Sequence, residues 1–133
     1  ANVFCPLSEA KPVSLQGNDL PRVADTSYSL SFTQLFPGDS GVTSARLSYR
    51  YTGERNGDPF NMSRFDIPEN KSFDFLLRYT PNNGDWYVGM YAKNLADDQY
   101  MNSIRSGSNA QGGQLYASFT DPRSWGIQFG SSF

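Results

Sequence analysis

Side chains alternate across a β-strand with a period of two, and this chain keeps that period in five separate stretches. From about Thr26 to Phe36, Tyr28, Leu30, Phe32 and Phe36 share one face and Ser27, Ser29, Ser31 and Thr33 the other. From about Val42 to Gly53, Ala45, Leu47, Tyr49 and Tyr51 lie opposite Ser44, Arg46, Ser48, Arg50 and Thr52. The stretch from Lys71 to Thr80 sets Phe73, Phe75, Leu77 and Tyr79 against Ser72, Asp74, Leu76 and Arg78. Next, Trp86, Val88, Met90 and Ala92 oppose Tyr87, Gly89, Tyr91 and Lys93. A last strand is expected within Gln114–Phe133, interrupted or delimited by Asp121-Pro122. In its final nine residues Trp125, Ile127, Phe129 and Phe133 alternate with Gly126, Gln128, Gly130 and Ser132.

The connections alternate between short and long. Pro37-Gly38-Asp39-Ser40-Gly41 and Pro81-Asn82-Asn83-Gly84-Asp85 are built from turn-forming residues, and Asn83-Gly84 is a strong hairpin signal. The segments Glu54–Asn70 and Ala96–Gly113 read as long polar loops. Strands of about 9–11 residues joined in this way resemble those that cross a bilayer at a tilt, with tight turns on one rim and long loops on the other. If the short turns mark the periplasmic rim, Phe36, Tyr79, Trp86 and Phe133 gather near it. Tyr49, Tyr51, Phe73 and Trp125 then lie nearer the middle or the opposite rim, an arrangement compatible with aromatic girdles. A soluble β-sandwich would show the same alternation with its apolar faces turned inward. Alternation leaves both readings open.

Composition narrows the classes without choosing between them. The chain has 133 residues, 15% aromatic and 18% charged, with 12 Gly and 8 Pro. This composition favours β structure rich in turns over helix. Mean hydropathy is −0.55, a value a barrel tolerates because half of each strand faces a polar interior. No run approaches the ~18 apolar residues of a membrane helix. A net charge of −2 without a basic cluster argues against nucleic acid as a partner. The first ten residues lack the basic start and apolar stretch of a signal segment. There is no His and a single Cys, so nucleophilic catalysis finds no base, and neither metal-ligand spacing nor a phosphate-cradling loop occurs. No enzymatic activity and no cofactor are expected.

Three ordered motifs carry a resemblance: Gly17-Asn18-Asp19-Leu20-Pro21, Asn94-Leu95-Ala96-Asp97-Asp98-Gln99-Tyr100, and Pro122-Arg123-Ser124-Trp125-Gly126 leading to Phe133. Together they resemble the "G-N-x-L-P", "N-L-x-D-x-x-Y" and "P-R-x-x-G" segments of TonB-dependent outer-membrane receptors, from about residue 14 onward. Ser131 departs from the pattern, which usually has an apolar residue there. The resemblance implies an all-β chain of antiparallel up-and-down strands, the last ~5 of a 22-stranded transmembrane β-barrel. Residues 1–25 would belong to an extracellular loop and 26–133 to barrel strands. The remainder of the barrel and its plug would come from the same gene product or a second chain. The implied location is the bacterial outer membrane, and the implied function is import of a scarce nutrient, most often a ferric-siderophore complex. The implied partners are outer-membrane lipid, TonB acting through the plug, and the barrel-assembly machinery.

Within that frame, Arg55, Phe60, Arg64, Phe65, Tyr100 and Arg105, with Asp58, Met101 and Asn109 nearby, sit on loops where ligand would arrive. Arg46, Arg50, Asp74, Arg78 and Lys93 would face the lumen and pair with one another or with the plug. Trp125, Ile127, Phe129 and Phe133 would form the assembly signal. Cys5, a lone cysteine in an exported chain, is expected to pair with a cysteine elsewhere. Asp97 and Asp98 fall short of a calcium cage and read as caps of a strand end.

Overall fold

The computed structural model of the protein describes residues 13–107 and 113–131; Cys5, Asn109 and Phe133 lie outside them. Among the described residues the regular elements are β-strands and one 3-10 turn, Ser63–Phe65. The strands are β1 (Ser27–Gly38), β2 (Gly41–Thr52), β3 (Arg55–Asn56), β4 (Asp66–Ile67), β5 (Asn70–Pro81), β6 (Trp86–Lys93), β7 (Met101–Ser106), β8 (Leu115–Phe119) and β9 (Ser124–Ser131). An antiparallel five-stranded sheet runs in the order β1-β2-β5-β6-β9, and two small hairpins, β3-β4 and β7-β8, stand at its long-loop end.

The alternating pattern sets the register. β1 and β2 pair residue for residue from Ser27 opposite Thr52 to Gly38 opposite Gly41, and β2 continues against β5 from Gly41–Pro81 to Thr52–Asn70. A shift of one residue would exchange the two faces, so Leu47 between Phe32 and Phe75 holds every neighbouring pair in place. β1 extends through Pro37, which an edge strand tolerates because it owes no hydrogen bond on its free side. The β1–β2 turn shrinks accordingly to Asp39-Ser40. At the other tight turn Gly84 takes φ +73, the left-handed conformation that glycine adopts without steric cost, and its N–H donates to the Pro81 carbonyl at 3.0 Å.

The last strand is delimited at Asp121-Pro122, as the sequence suggests. The predicted loop Ala96–Gly113 is corrected: it contains a strand, β7. β8 leaves the main sheet and pairs with β7, while β9 alone returns to β6. Pro122 supplies the break, since it has no N–H for the ladder. β7 went unseen because Met101–Ser106 has little alternation, with Ile104 its one buried position.

Packing explains the glycines of β9. Tyr87 and Tyr91 lie flat over Gly130 and Gly126, their cross-strand partners. A Cβ on Gly126 would come within 2.7 Å of the Tyr91 hydroxyl, and one on Gly130 would collide with the Tyr87 ring. The rings cover backbone that the glycines leave bare. Arg78 in turn stacks on Tyr87, its guanidinium carbon 3.7 Å from the ring centroid.

The buried apolar core of the described residues is not on the sheet. Phe65, Ile67 and Ile104 form it, with Met101 packed against them, joining the 3-10 turn, β4 and β7. Ile67 has no exposed surface. The long loops are therefore tied into one small body above the end of the sheet. Gly57 permits the closeness: its N–H donates to the Phe65 carbonyl at 2.8 Å, and a Cβ there would come within 3.2 Å of Ile104.

Candidate functional site

The two faces of the main sheet differ in kind. On the apolar face, rings gather at both ends. Tyr28 stacks on Tyr51 with centroids 5.1 Å apart, and Tyr49 meets Phe73 at 4.7 Å. At the short-turn end Trp86 lies 5.8 Å from Tyr79 and 6.3 Å from Phe129. Between these groups run Leu30, Phe32, Leu47, Phe75, Leu77, Met90 and Ile127, several of them widely exposed. Trp125 is 77% exposed, Ile127 74% and Phe129 70%. From Tyr51 to Thr43, the partner of Tyr79, there are eight steps along β2, or about 26 Å at ~3.3 Å each.

At the long-loop edge of that face, Glu69 accepts from Lys71 Nζ at 2.6 Å and from the Tyr51 hydroxyl at 2.8 Å. These two hydrogen bonds, the lysine's first, hold the Glu69 carboxyl below its ordinary pKa. The loop residue Tyr100 has its pKa raised, by burial first and then by its hydrogen bond to Asp98.

On the polar face the structure opens a cleft of about 580 Å³ beneath the loops. Arg50 and Lys93 rise into it from the sheet, Arg55 and Tyr100 from the loops, and Asp74 and Asn94 line its floor. A second opening of about 440 Å³ continues down the same face past Asp74, Lys93 and Arg46 to Gln128. Of the loop residues singled out by sequence, Arg55 and Tyr100 line the cleft; Phe60, Arg64 and Arg105 do not. Phe65 is 4% exposed and serves the loop core, with the Arg64 guanidinium 4.9 Å above its ring. An apolar ring inside a long polar loop invites a binding role on paper, but its burial removes it from the ligand's reach.

The charged residues of the polar face do not form ion pairs with one another, the first of the two arrangements expected from the sequence. Among the described residues the ion pairs are Lys71–Glu69 and Arg123–Asp97. Arg46 donates through Nε to Thr33 Oγ1 at 3.1 Å, Arg78 stacks on Tyr87, and Lys93 sits 5.7 Å over the Tyr91 ring. The Arg50 side chain makes neither hydrogen bond nor ion pair with the described residues. Asp74 accepts from the Asn94 backbone N–H at 3.0 Å. In the register Arg46 faces Leu76 and Arg50 faces Ser72, while Asp74 lies opposite Ser48 between them.

Two of the sequence motifs meet at the edge of this cleft. Asn94 is 8% exposed and takes φ +51, a left-handed conformation that Asn tolerates better than most residues. Its Nδ2 donates to the carbonyls of Asp98 at 2.8 Å and Asp121 at 3.0 Å. Asp97 accepts from the Arg123 N–H at 2.8 Å and pairs with the Arg123 guanidinium at 3.6 Å. Asn94 and Asp97 thus clasp the connection after β6 to the one before β9. Asp97 does more than cap a strand end, a role that needed the distant Arg123 to be seen. The clasp leaves Asn94 Oδ1 buried without a partner, as is Arg55 Nη1, while Arg55 Nη2 donates to the Asn102 carbonyl at 3.0 Å.

No residue cluster able to hold a metal occurs among the described residues, and none of their helices is long and apolar enough to cross a membrane. No family model, curated protein or solved structure matches the chain.

Proposed function

We propose that this chain forms part of the wall and extracellular loops of a TonB-dependent outer-membrane receptor that imports a scarce nutrient, most often a ferric-siderophore complex. In this reading the five-stranded sheet is a segment of a closed 22-stranded barrel, with the remaining strands and the plug on another part of the assembly. One observation carries the reading: the sheet has a broad apolar face that nothing among the described residues covers, bounded at both ends by aromatic clusters.

The energetics support it. About a dozen large apolar side chains on that face are substantially exposed, from Tyr28 to Phe129. At roughly 1.5–3 kcal/mol per fully buried side chain, covering them is worth on the order of 10–20 kcal/mol, comparable to the whole stability of a domain. Lipid supplies that cover. The ring clusters then stand at the two interfaces, and Lys71 and Glu69 lie at the water level above one of them. Both outer strands, β1 and β9, have an unpaired edge in the sheet, which lipid does not tolerate and barrel closure removes. The alternation of Trp125, Ile127 and Phe129 on β9 fits the strand read by the barrel-assembly machinery. The chain's own role is structural and recognitive, not enzymatic: energy would arrive from TonB through the plug, and ligand would be met by the loops.

The test is the native mass of the detergent-extracted species, followed by denaturation to identify every polypeptide in it. Association with a plug and about seventeen further strands is the expected result. A chain that remains soluble and runs alone without detergent overturns the receptor reading in favour of a soluble β-sandwich.

A further inference from the structure

We infer that the polar face of the sheet is a binding track for a small ligand bearing two or more carboxylate or phosphate groups. The inference rests on the receptor reading only in taking this face as the lumen side. Its basis is the placement of charge. Arg50, Lys93, Arg46 and Arg78 project from the same face at successive levels of the register. Arg50 stands opposite Ser72, Lys93 one step beyond the Phe75–Ala92 pair, Arg46 opposite Leu76, and Arg78 opposite Ser44 and Gly89. From Arg50 to Ser44 is six residues, so the series spans about 20 Å.

The four cations face one acid of the sheet, Asp74, and none of them forms an ion pair with the described residues. Asp74 already accepts a hydrogen bond from the Asn94 N–H. Two further carboxylates line the wider opening, Asp98, which accepts from the Tyr100 hydroxyl at 3.1 Å, and Asp121. With Lys71 paired to Glu69, the cations Arg46, Arg50, Arg55, Arg78 and Lys93 still outnumber Asp74, Asp98 and Asp121 by two. Stacking on Tyr87 and Tyr91 holds Arg78 and Lys93 in place while leaving their N–H groups available.

The two openings on this face share Asp74 and Lys93, making one groove that begins at Arg50 and Arg55 and reaches Arg46 and Gln128. The buried and unpartnered Arg55 Nη1 adds a donor at its mouth. A groove walled by sheet and loops concentrates such a field, and spaced cations favour a ligand whose negative charges are themselves spaced. Arginine's planar fork suits carboxylate and phosphate alike. A neutral ligand gains nothing from the arrangement.

The experiment is equilibrium dialysis of the intact detergent-extracted species at fixed ionic strength, with labelled citrate in one arm, labelled pyrophosphate in a second and mannitol as the neutral probe. Saturable binding of citrate or pyrophosphate and none of mannitol is expected, and the preferred arm names the acid group. Arg50→Gln and Arg46→Gln should each weaken binding about tenfold, the effect of one charge-assisted contact. The exposed Arg22→Gln carries the same charge change away from the groove and should bind normally. Arg46→Lys keeps the charge and should retain most of the affinity, which separates loss of binding from failed assembly. Absence of saturable binding, or an equal loss in Arg22→Gln, overturns the inference. So does carbodiimide cross-linking of Lys93 to a carboxylate of another polypeptide segment in the intact species, since the track would then be filled by protein. A species soluble without detergent that still shows this variant pattern defeats the receptor reading alone; an embedded species that binds neither anion defeats the track alone.

Discussion

Replacing Asn94 dissects the clasp between the connections flanking β6 and β9. Asn94→Ala removes two hydrogen bonds, to the Asp98 and Asp121 carbonyls, at about 0.5–1.5 kcal/mol each. It also places alanine at φ +51, where asparagine is better tolerated, which adds part of the roughly 1–2 kcal/mol that this conformation costs. The expected total is about 3 kcal/mol, reduced slightly because the unpartnered Oδ1 disappears as well. Asn94→Gly loses the same hydrogen bonds without the steric cost, and should recover about 0.5–1 kcal/mol after glycine's own entropic penalty. Asn94→Asp should be the most damaging of the three, since it aims a buried carboxylate at two carbonyl oxygens.

Amide hydrogen exchange reads this opening directly. The Leu95, Asp97 and Arg123 N–H groups donate to the Phe73 carbonyl, the Asn94 carbonyl and Asp97 Oδ1 respectively. A loss of about 3 kcal/mol accelerates their exchange roughly 100-fold in Asn94→Ala, while the β1–β2 amides keep their protection. Unchanged exchange at Leu95 and Arg123 in Asn94→Ala would refute the clasp. Equal rates in the Ala and Gly variants would refute the assignment of part of the cost to the left-handed backbone.

Other consequences follow from the same geometry. Gly130→Ala should push the Tyr87 ring off β9 and release Arg78 from it, costing about 1–3 kcal/mol as overpacking; a melting temperature within error of the parent would show that the ring yields freely. Ile67→Ala empties the centre of the loop core, and the expected 2–4 kcal/mol should appear as faster proteolysis within residues 54–69 while the sheet stays intact. Cleavage at the parent rate would mean that the three-residue core does not hold the loops. Ile127→Arg places a charge on the apolar face between the two ring clusters and should lower bilayer insertion by about 2–4 kcal/mol. Insertion at the parent level, measured by flotation with liposomes, would argue that this face is not in lipid.

What the sequence determined is what alternation can encode. A strand assigns each side chain to a face through its immediate neighbours, so Tyr28 through Phe36, Ala45 through Tyr51, Phe73 through Tyr79 and Trp86 through Ala92 were legible before any pairing was known. The tight turns were legible too, because Asn83-Gly84 carries its left-handed geometry locally. Tertiary structure decided whatever depends on residues far apart in the chain. It withdrew β8 from the last strand to partner a segment without alternation. It buried Phe65 with Ile67 and Ile104, whose proximity exists only once the loops fold over one another. It placed Arg50 opposite Ser72 and Asp74 opposite Ser48, a register that composition does not encode. The Asn94–Asp121 and Asp97–Arg123 contacts belong to the same class: their residues stand 27 and 26 positions apart, and only the closing of β9 onto β6 brings them together.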